Sequence, residues 1–289
     1  MPETIKQLTI IGVGLIGGSL ARALKAAGAV GEVVGSGRDA AHLQQALELG
    51  VIDRIETDPA KAVQGADMVV VAAPVGAAEA VFRAIAPSLT ADTILTDVGS
   101  TKASVVAAAR AAFGELPENF VPGHPIAGTE KSGVAASFAE LFAGRRVILT
   151  PTERSNPAAV ARVRALWEKT GAEVVETSVA HHDEVLAATS HLPHLLAFTL
   201  VDTLATLDDK QEIFEYAAGG FRDFTRIASS DPLMWHDICI HNEPALLKML
   251  ERFEADLDKL RQAIANNDSD YLLQVFTRAK AARDRFCGD

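Results

Sequence analysis

A chain of 289 residues with 48% apolar side chains suffices for about two domains with full cores. Its formal net charge of −11 excludes a basic nucleic-acid-binding face, although not a local cationic pocket for an anionic substrate. Two cysteines, Cys239 and Cys287, exclude a disulfide framework and a Cys-based zinc site, and read as reduced thiols. The most apolar stretch, residues 68–78, is broken by Pro74 and Gly76 and is well short of the ~20 residues a membrane span needs. A cytoplasmic protein with neither nucleic-acid nor membrane partner is expected.

Residues 8–20 read L-T-I-I-G-V-G-L-I-G-G-S-L, an apolar strand running into a glycine turn. An alanine-rich helical run over 19–27 follows. Lys6 ahead of an apolar run imitates a signal peptide, but the three patterned glycines mark a buried strand instead. Gly12 permits the tight turn, Gly14 lets a pyrophosphate approach the backbone, and Gly17 lets helix and strand pack closely. Gly12, Gly14, Leu15, Ile16 and Gly17 are therefore candidate dinucleotide contacts. A second strand, 33–35, ends at Ser36-Gly37-Arg38, where an NAD site of this type normally carries Asp or Glu for the ribose 2′-hydroxyl. A hydroxyl and a guanidinium suit a 2′-phosphate instead, so Ser36 and Arg38 favour NADP, with NAD or dual use as the alternative.

A helix over 40–49 stops at Gly50. The apolar run 68–73 suits a parallel strand covered on both faces, and Ala73 and Pro74 at its end would face the nicotinamide half of the cofactor. A helix over 77–85 and a strand over 93–96 follow, the strand ending in D-V-G-S-T-K. Ser100 and Lys102 thus lie at a strand's carboxyl end, where ligands bind in a doubly wound α/β domain. Ser100 also reads as the N-cap of a helix over 101–113. Residues 122–133 hold His124 in a turn-rich loop between two prolines, a candidate for acid–base work. A strand over 147–150, a helix capped by Ser155-Asn156 with Pro157 in its first turn, and a strand at 174–175 complete a domain that ends at 178.

Beyond 178 the strand rhythm gives way to helices. Leu246, Leu250, Phe253, Leu257, Leu260 and Ile264 advance in steps of four and three along a helix over 243–265, a heptad seam suited to a homodimer. Ser190-His191-Leu192-Pro193-His194 places two histidines three apart, but no third ligand of suitable spacing is evident, so no metal is expected. Arg226, among aromatic residues in F-R-D-F-T-R, suits a bidentate carboxylate contact; the alternative is an ion pair with Asp223, three residues earlier.

Together G-H-P-I-A-G-T-E-K-S-G, S-H-L-P-H and F-R-D-F-T-R-I-A-S-S-D-P-L-M-W resemble the prephenate/arogenate (cyclohexadienyl) dehydrogenase family of tyrosine biosynthesis. The resemblance implies an NAD(P)-binding Rossmann domain over 1–178 and a helical substrate and dimerisation domain over 179–289. It implies oxidative decarboxylation of a dicarboxylate, with hydride leaving ring C4 and CO2 leaving C1. It assigns His124 as the catalytic histidine on the C4 hydroxyl, and Ser100 as the serine that orients it and touches the same hydroxyl. His194 and Arg226 match substrate-binding positions, with Arg226 on a carboxylate; Thr129, Glu130, Ser190, Asp223 and Trp235 match residues that line or gate the pocket. Neither a leading chorismate mutase segment nor a trailing βαββαβ regulatory domain is expected, so any tyrosine feedback would act at the active site. Two other readings are a β-hydroxyacid dehydrogenase relative, which would lean on a lysine of the helical half, and a non-catalytic NAD(P)-binding redox regulator.

Overall fold

A computed structural model describes residues 4–286; Cys287 lies outside the described residues. The chain forms two compact units, one through Glu243 and one from Pro244 onward. The first begins as a doubly wound domain: β1 (Ile5–Ile11), α1 (Leu15–Ala26), β2 (Val30–Ser36), α2 (Ala40–Glu48), β3 (Arg54–Ile55), a single-turn α3 (Pro59–Ala62), β4 (Met68–Val71), α4 (Ala78–Ile85), β5 (Ile94–Asp97), α5 (Lys102–Phe113) and β6 (Phe120–Val121). All six strands are parallel, in the order β3-β2-β1-β4-β5-β6, so the order reverses beside β1. In such a sheet the crevice at the carboxyl ends of β1 and β4 is the ligand position. Every residue of β4 and β5 is buried, because helices cover both faces.

The sequence predicts one sheet running to residue 178. Instead β7 (Gly123–Pro125), β8 (Arg146–Leu149) and β9 (Glu173–Glu176) form a separate mixed sheet, with β7 antiparallel and β9 parallel to β8, and α6 (Pro157–Glu168) between β8 and β9. Pro122 marks the change of sheet, since it has no amide to continue a ladder. His124 accordingly sits within a short strand, opposite Ile148, rather than in a loop.

The rest of the unit is helical: α7 (Val179–Leu186), α8 (Leu192–Ala205), α9 (Lys210–Glu215), α10 (Gly219–Thr225) and α11 (Pro232–His241). A π turn over Ala187–His191 joins α7 to α8 without a break, just ahead of Pro193, whose missing amide a regular helix would have needed. The resulting helix, Val179–Ala205, is long and apolar enough to cross a membrane by length and composition, which the expectation of no such stretch overlooked. It also carries His182, Asp183 and His191, all buried in polar contacts with other elements, as a bundle helix does. The second unit comprises α12 (Glu243–Ala265), apart from its first residue, and α13 (Ser269–Phe286).

Candidate active site

The glycine turn after β1 is built as its residue types require. Gly12 has φ +98°, and a Cβ there would lie 2.5 Å from the Ala72 carbonyl oxygen. A Cβ on Gly17 would lie 2.3 Å from the Gly12 carbonyl oxygen and 2.9 Å from Ile10 Cγ2, so this glycine sets how closely α1 approaches β1. Gly14 differs: a Cβ there would meet nothing within 4 Å. Gly14 is the N-cap of α1 and gives no side-chain bond, so the first-turn amides of Leu15, Ile16 and Gly17 remain available to an anion. The side chains of Leu15 and Ile16 pack on the core. At the end of β2 the Ser36 side chain is fully buried and its hydroxyl has no partner, so it does not reach the surface a 2′-phosphate would meet; Arg38 is exposed. Ala73 is half-buried and Pro74 exposed just past β4.

Next to this crevice, at the end of β5, lies a buried polar cluster. Asp97 accepts hydrogen bonds from the Gly99 amide at 2.7 Å and the Gly123 amide at 3.2 Å, and is ion-paired with Lys102. The Lys102 ammonium also donates to the Gly123 carbonyl at 2.7 Å. Both members of the pair are sealed from water, a costly arrangement that only full hydrogen bonding sustains. Burial pushes the Lys102 ammonium down from its ordinary value, against the pull of Asp97. Asp97 and Lys102 together pin Gly123, and hence His124, to the main sheet.

His124 is 8% exposed. Burial, reinforced by the neighbouring His182, Lys102 and His191, holds its imidazole well below the ordinary value and therefore neutral. Its Nδ1 lies 2.9 Å from His182 Nε2, and His182 Nδ1 lies 2.7 Å from Asp183 Oδ1. Among the described residues this is the hydrogen bond that His124 makes; Ser100, half-exposed, makes none with it. Nor is Ser100 the N-cap of α5. Thr101 occupies that position but caps no first-turn amide, its hydroxyl bonding Ser104 Oγ at 2.6 Å, and Asp183 caps the helix instead, accepting from the Lys102 and Ala103 amides at 2.8 Å each. His182 and Asp183 are the functional candidates that sequence reasoning missed. The signal was H-H-D just after Ser178, where the first helix beyond the strands begins.

The helical residues extend this cluster. His191 is buried, accepts a hydrogen bond from Asn242 at 2.9 Å through Nδ1, and is pushed down to about 4, chiefly by burial. Asn242 also donates to the Asp183 carbonyl at 2.9 Å. Among the described residues no group of three or more His, Cys, Asp or Glu side chains could hold a metal ion. Trp235 lies edge-on to His191 at 6.2 Å and stacks face to face with His194 at 3.6 Å; its indole nitrogen is buried without an acceptor. His194 Nδ1 donates to the Ser190 carbonyl at 2.9 Å, which leaves Nε2 as an acceptor. Burial lowers its pKa, with a smaller push from Arg226 and an opposing pull from the Ser190 carbonyl. Arg226 pairs with Glu130 rather than Asp223, and both partners are partly open to water. A hydrogen bond from its own amide, then the Arg226 guanidinium, hold the Glu130 carboxyl below the usual range. Thr129 and Asp223 are exposed.

A parallel sheet with a glycine turn at its switch point, a neutral buried histidine nearby and further polar groups on following helices define a nucleotide-binding domain joined to a helical region. The family description "Prephenate dehydrogenase, nucleotide-binding domain" matches residues 20–176, and "Prephenate dehydrogenase, dimerization domain" matches residues 178–278. The cyclohexadienyl dehydrogenase of Zymomonas mobilis is 44% identical over 285 residues, 96% of this chain and 95% of that protein. The prephenate dehydrogenase of Bacillus subtilis is 38% identical, over 98% of this chain and 76% of its own. Among solved structures, Aquifex aeolicus prephenate dehydrogenase, in complex with hydroxyphenyl propionate and NAD+, is similar with a TM-score of 0.92 at 37% identity, covering 99% of each chain. Synechocystis arogenate dehydrogenase is similar with a TM-score of 0.81 at 28% identity, over 97% of this chain and 99% of that one. The chain belongs to the prephenate dehydrogenase family and is a dehydrogenase.

Proposed function

We propose that this chain is a cytoplasmic, homodimeric enzyme of tyrosine biosynthesis that oxidatively decarboxylates prephenate, arogenate or both. The observation that carries this reading is His124, held neutral by burial at the strand ends beside the glycine turn. A nicotinamide dinucleotide held at the Gly12–Gly17 turn would supply the acceptor for the ring C4 hydride. His124 takes the proton of the C4 hydroxyl, and Ser100 contacts the same oxygen. Aromatisation drives loss of CO2 from C1, so no metal is needed. Arg226 binds a substrate carboxylate, for which it exchanges its partner Glu130. His194, held by its stack on Trp235, meets the substrate, and Ser190, Thr129, Glu130 and Asp223 border or gate it.

We assign residues 1–178 to the cofactor domain and 179–289 to the substrate and dimer domain; the adjoining family matches at 20–176 and 178–278 support that boundary. The cofactor's anion meets the turn formed by Gly12, Gly14, Leu15, Ile16 and Gly17, and its nicotinamide half meets Ala73 and Pro74. Exposed Arg38 supports NADP, while NAD use is supported by the solved relative that holds NAD+. The deciding assay follows reduced-cofactor absorbance with NAD or NADP and prephenate or arogenate. Turnover with at least one pair is expected, and none with all four would refute the proposal.

A further inference from the structure

We propose that Asp183 and His182 form a relay that fixes the tautomer of His124 and takes over the proton His124 removes from substrate. This rests on the reading of His124 as the catalytic base. Asp183 Oδ1 faces His182 Nδ1 at 2.7 Å and the Lys102 amide at 2.8 Å, while Oδ2 faces the Ala103 amide at 2.8 Å. Backbone amides can only donate, so the carboxylate is an acceptor at both oxygens. Burial pushes its pKa up, but these donors outweigh burial and hold it below the ordinary range. The proton between Asp183 and His182 therefore sits on His182 Nδ1.

The His182 ring is neutral, because burial and the Lys102 ammonium outweigh the pull of Asp183 and Asp97. Its Nε2 is then a lone pair aimed at His124 Nδ1, 2.9 Å away. Two lone pairs cannot share that contact, so His124 carries its proton on Nδ1. With His124 also neutral, its Nε2 is left as a lone pair, the form a base needs. His191, the third histidine acting on this pair, is already committed to Asn242.

The same wiring handles the proton once it is taken. As the substrate O–H bond breaks, an N–H bond forms at His124 Nε2. The N–H at Nδ1 breaks and one forms at His182 Nε2. The C4–H electron pair leaves with the hydride to nicotinamide, and the C1–carboxyl pair enters the ring as CO2 departs. The phenolic oxygen then recovers the proton by the reverse path, so none is consumed. Positive charge on either ring is opposed by the Lys102 ammonium, but on His182 it also stands 2.7 Å from a carboxylate oxygen. His182 and Asp183 are thus positioning residues for His124.

The test combines nitrogen-15 NMR of histidine-labelled protein with steady-state kinetics of His182→Leu, His182→Gln and Asp183→Asn. At neutral pH both His124 and His182 are expected as Nδ1–H tautomers. His182→Leu removes the acceptor, so His124 turns to the Nε2–H form and kcat falls about 100-fold or more. His182→Gln retains a carbonyl acceptor and restores at least about tenfold of that loss, with the Nδ1–H signal of His124 intact. Asp183→Asn moves the acid limb of kcat/KM to lower pH, since the cationic relay loses its counter-charge; a purely structural role would lower melting temperature without moving that limb. An Nε2–H tautomer at His124 in the wild-type protein, or equal activity of the Leu and Gln variants, overturns the relay. Should His182→Leu not fold, the wild-type tautomers and the Asp183→Asn limb decide it. A wild-type protein inactive on both substrates would refute the functional proposal, while its NMR signals would still decide the relay.

Discussion

At the scale of single residues the site depends on neutral rings held in place by buried charges. His124→Asn removes the base but keeps a small polar side chain, so turnover should fall by about 100-fold or more while cofactor affinity, read by fluorescence titration, is retained. Loss of both together would mark a structural role instead. Arg226→Ala should raise KM more than it lowers kcat, because an ion-pairing guanidinium supplies binding before chemistry as well as during it; an unchanged KM would remove Arg226 from the substrate. His124, His182 and His191 all have pKa values below the ordinary 6.5 in the folded protein. The unfolded chain therefore binds protons first as pH falls, and stability is lost from about pH 6.5 downward toward the folded values. For His191, lowered to about 4, the full loss is about 3 kcal/mol, which urea unfolding at pH 7 and at pH 4.5 would reveal in large part. His124 was legible in the sequence because prolines and glycines set it apart. His182 was not, since a histidine at a helix start gains meaning only when folding brings it 2.9 Å from a residue 58 positions away.

Among the elements, the β1–α1 turn separates two kinds of glycine that look alike in the sequence. Gly17→Ala should push α1 off β1 and destabilise the protein by about 1–3 kcal/mol, measured by thermal or urea unfolding. Gly14→Ala meets open space, so unfolding should change by less than about 1 kcal/mol while dinucleotide affinity weakens. A stable Gly17 variant, or a Gly14 variant that binds cofactor normally, would reverse the assignment of roles. β4, an unbroken apolar run, and the twelve-residue α6 were readable from that run and from Asn156-Pro157. β3 and β7 were not: they span two and three residues, too few for periodicity to register. The π turn escaped detection because Pro193 predicts a disturbance without saying that the helix absorbs it by widening one turn.

Across the whole molecule, the seam along α12 remains incompletely covered in the single chain. Leu246 is 5% exposed, but Leu257 and Ile264 are 47% and 65% exposed. A second subunit is the natural cover for such residues in a family whose matching region is a dimerization domain. Sedimentation should give a dimer for the native protein and a monomer for Leu257→Asp combined with Ile264→Asp. A double variant that stays dimeric would move the interface elsewhere. That helices alone follow the strands was readable from the loss of strand rhythm after 178, whereas the compact units divide at Glu243 and Pro244. The second sheet was not, because β8 and β9 carry the same apolar pattern whichever sheet they join.

The cap that Asp183 places on α5 spans 81 residues of sequence. During synthesis the strands, the glycine turn and His124 all leave the ribosome before Asp183 does. A nascent chain can therefore complete its nucleotide-binding turn while its histidine still lacks the partner that sets its proton. On the proposed relay, competence for proton transfer is thus acquired late in biogenesis, once Asp183 has emerged and docked on α5.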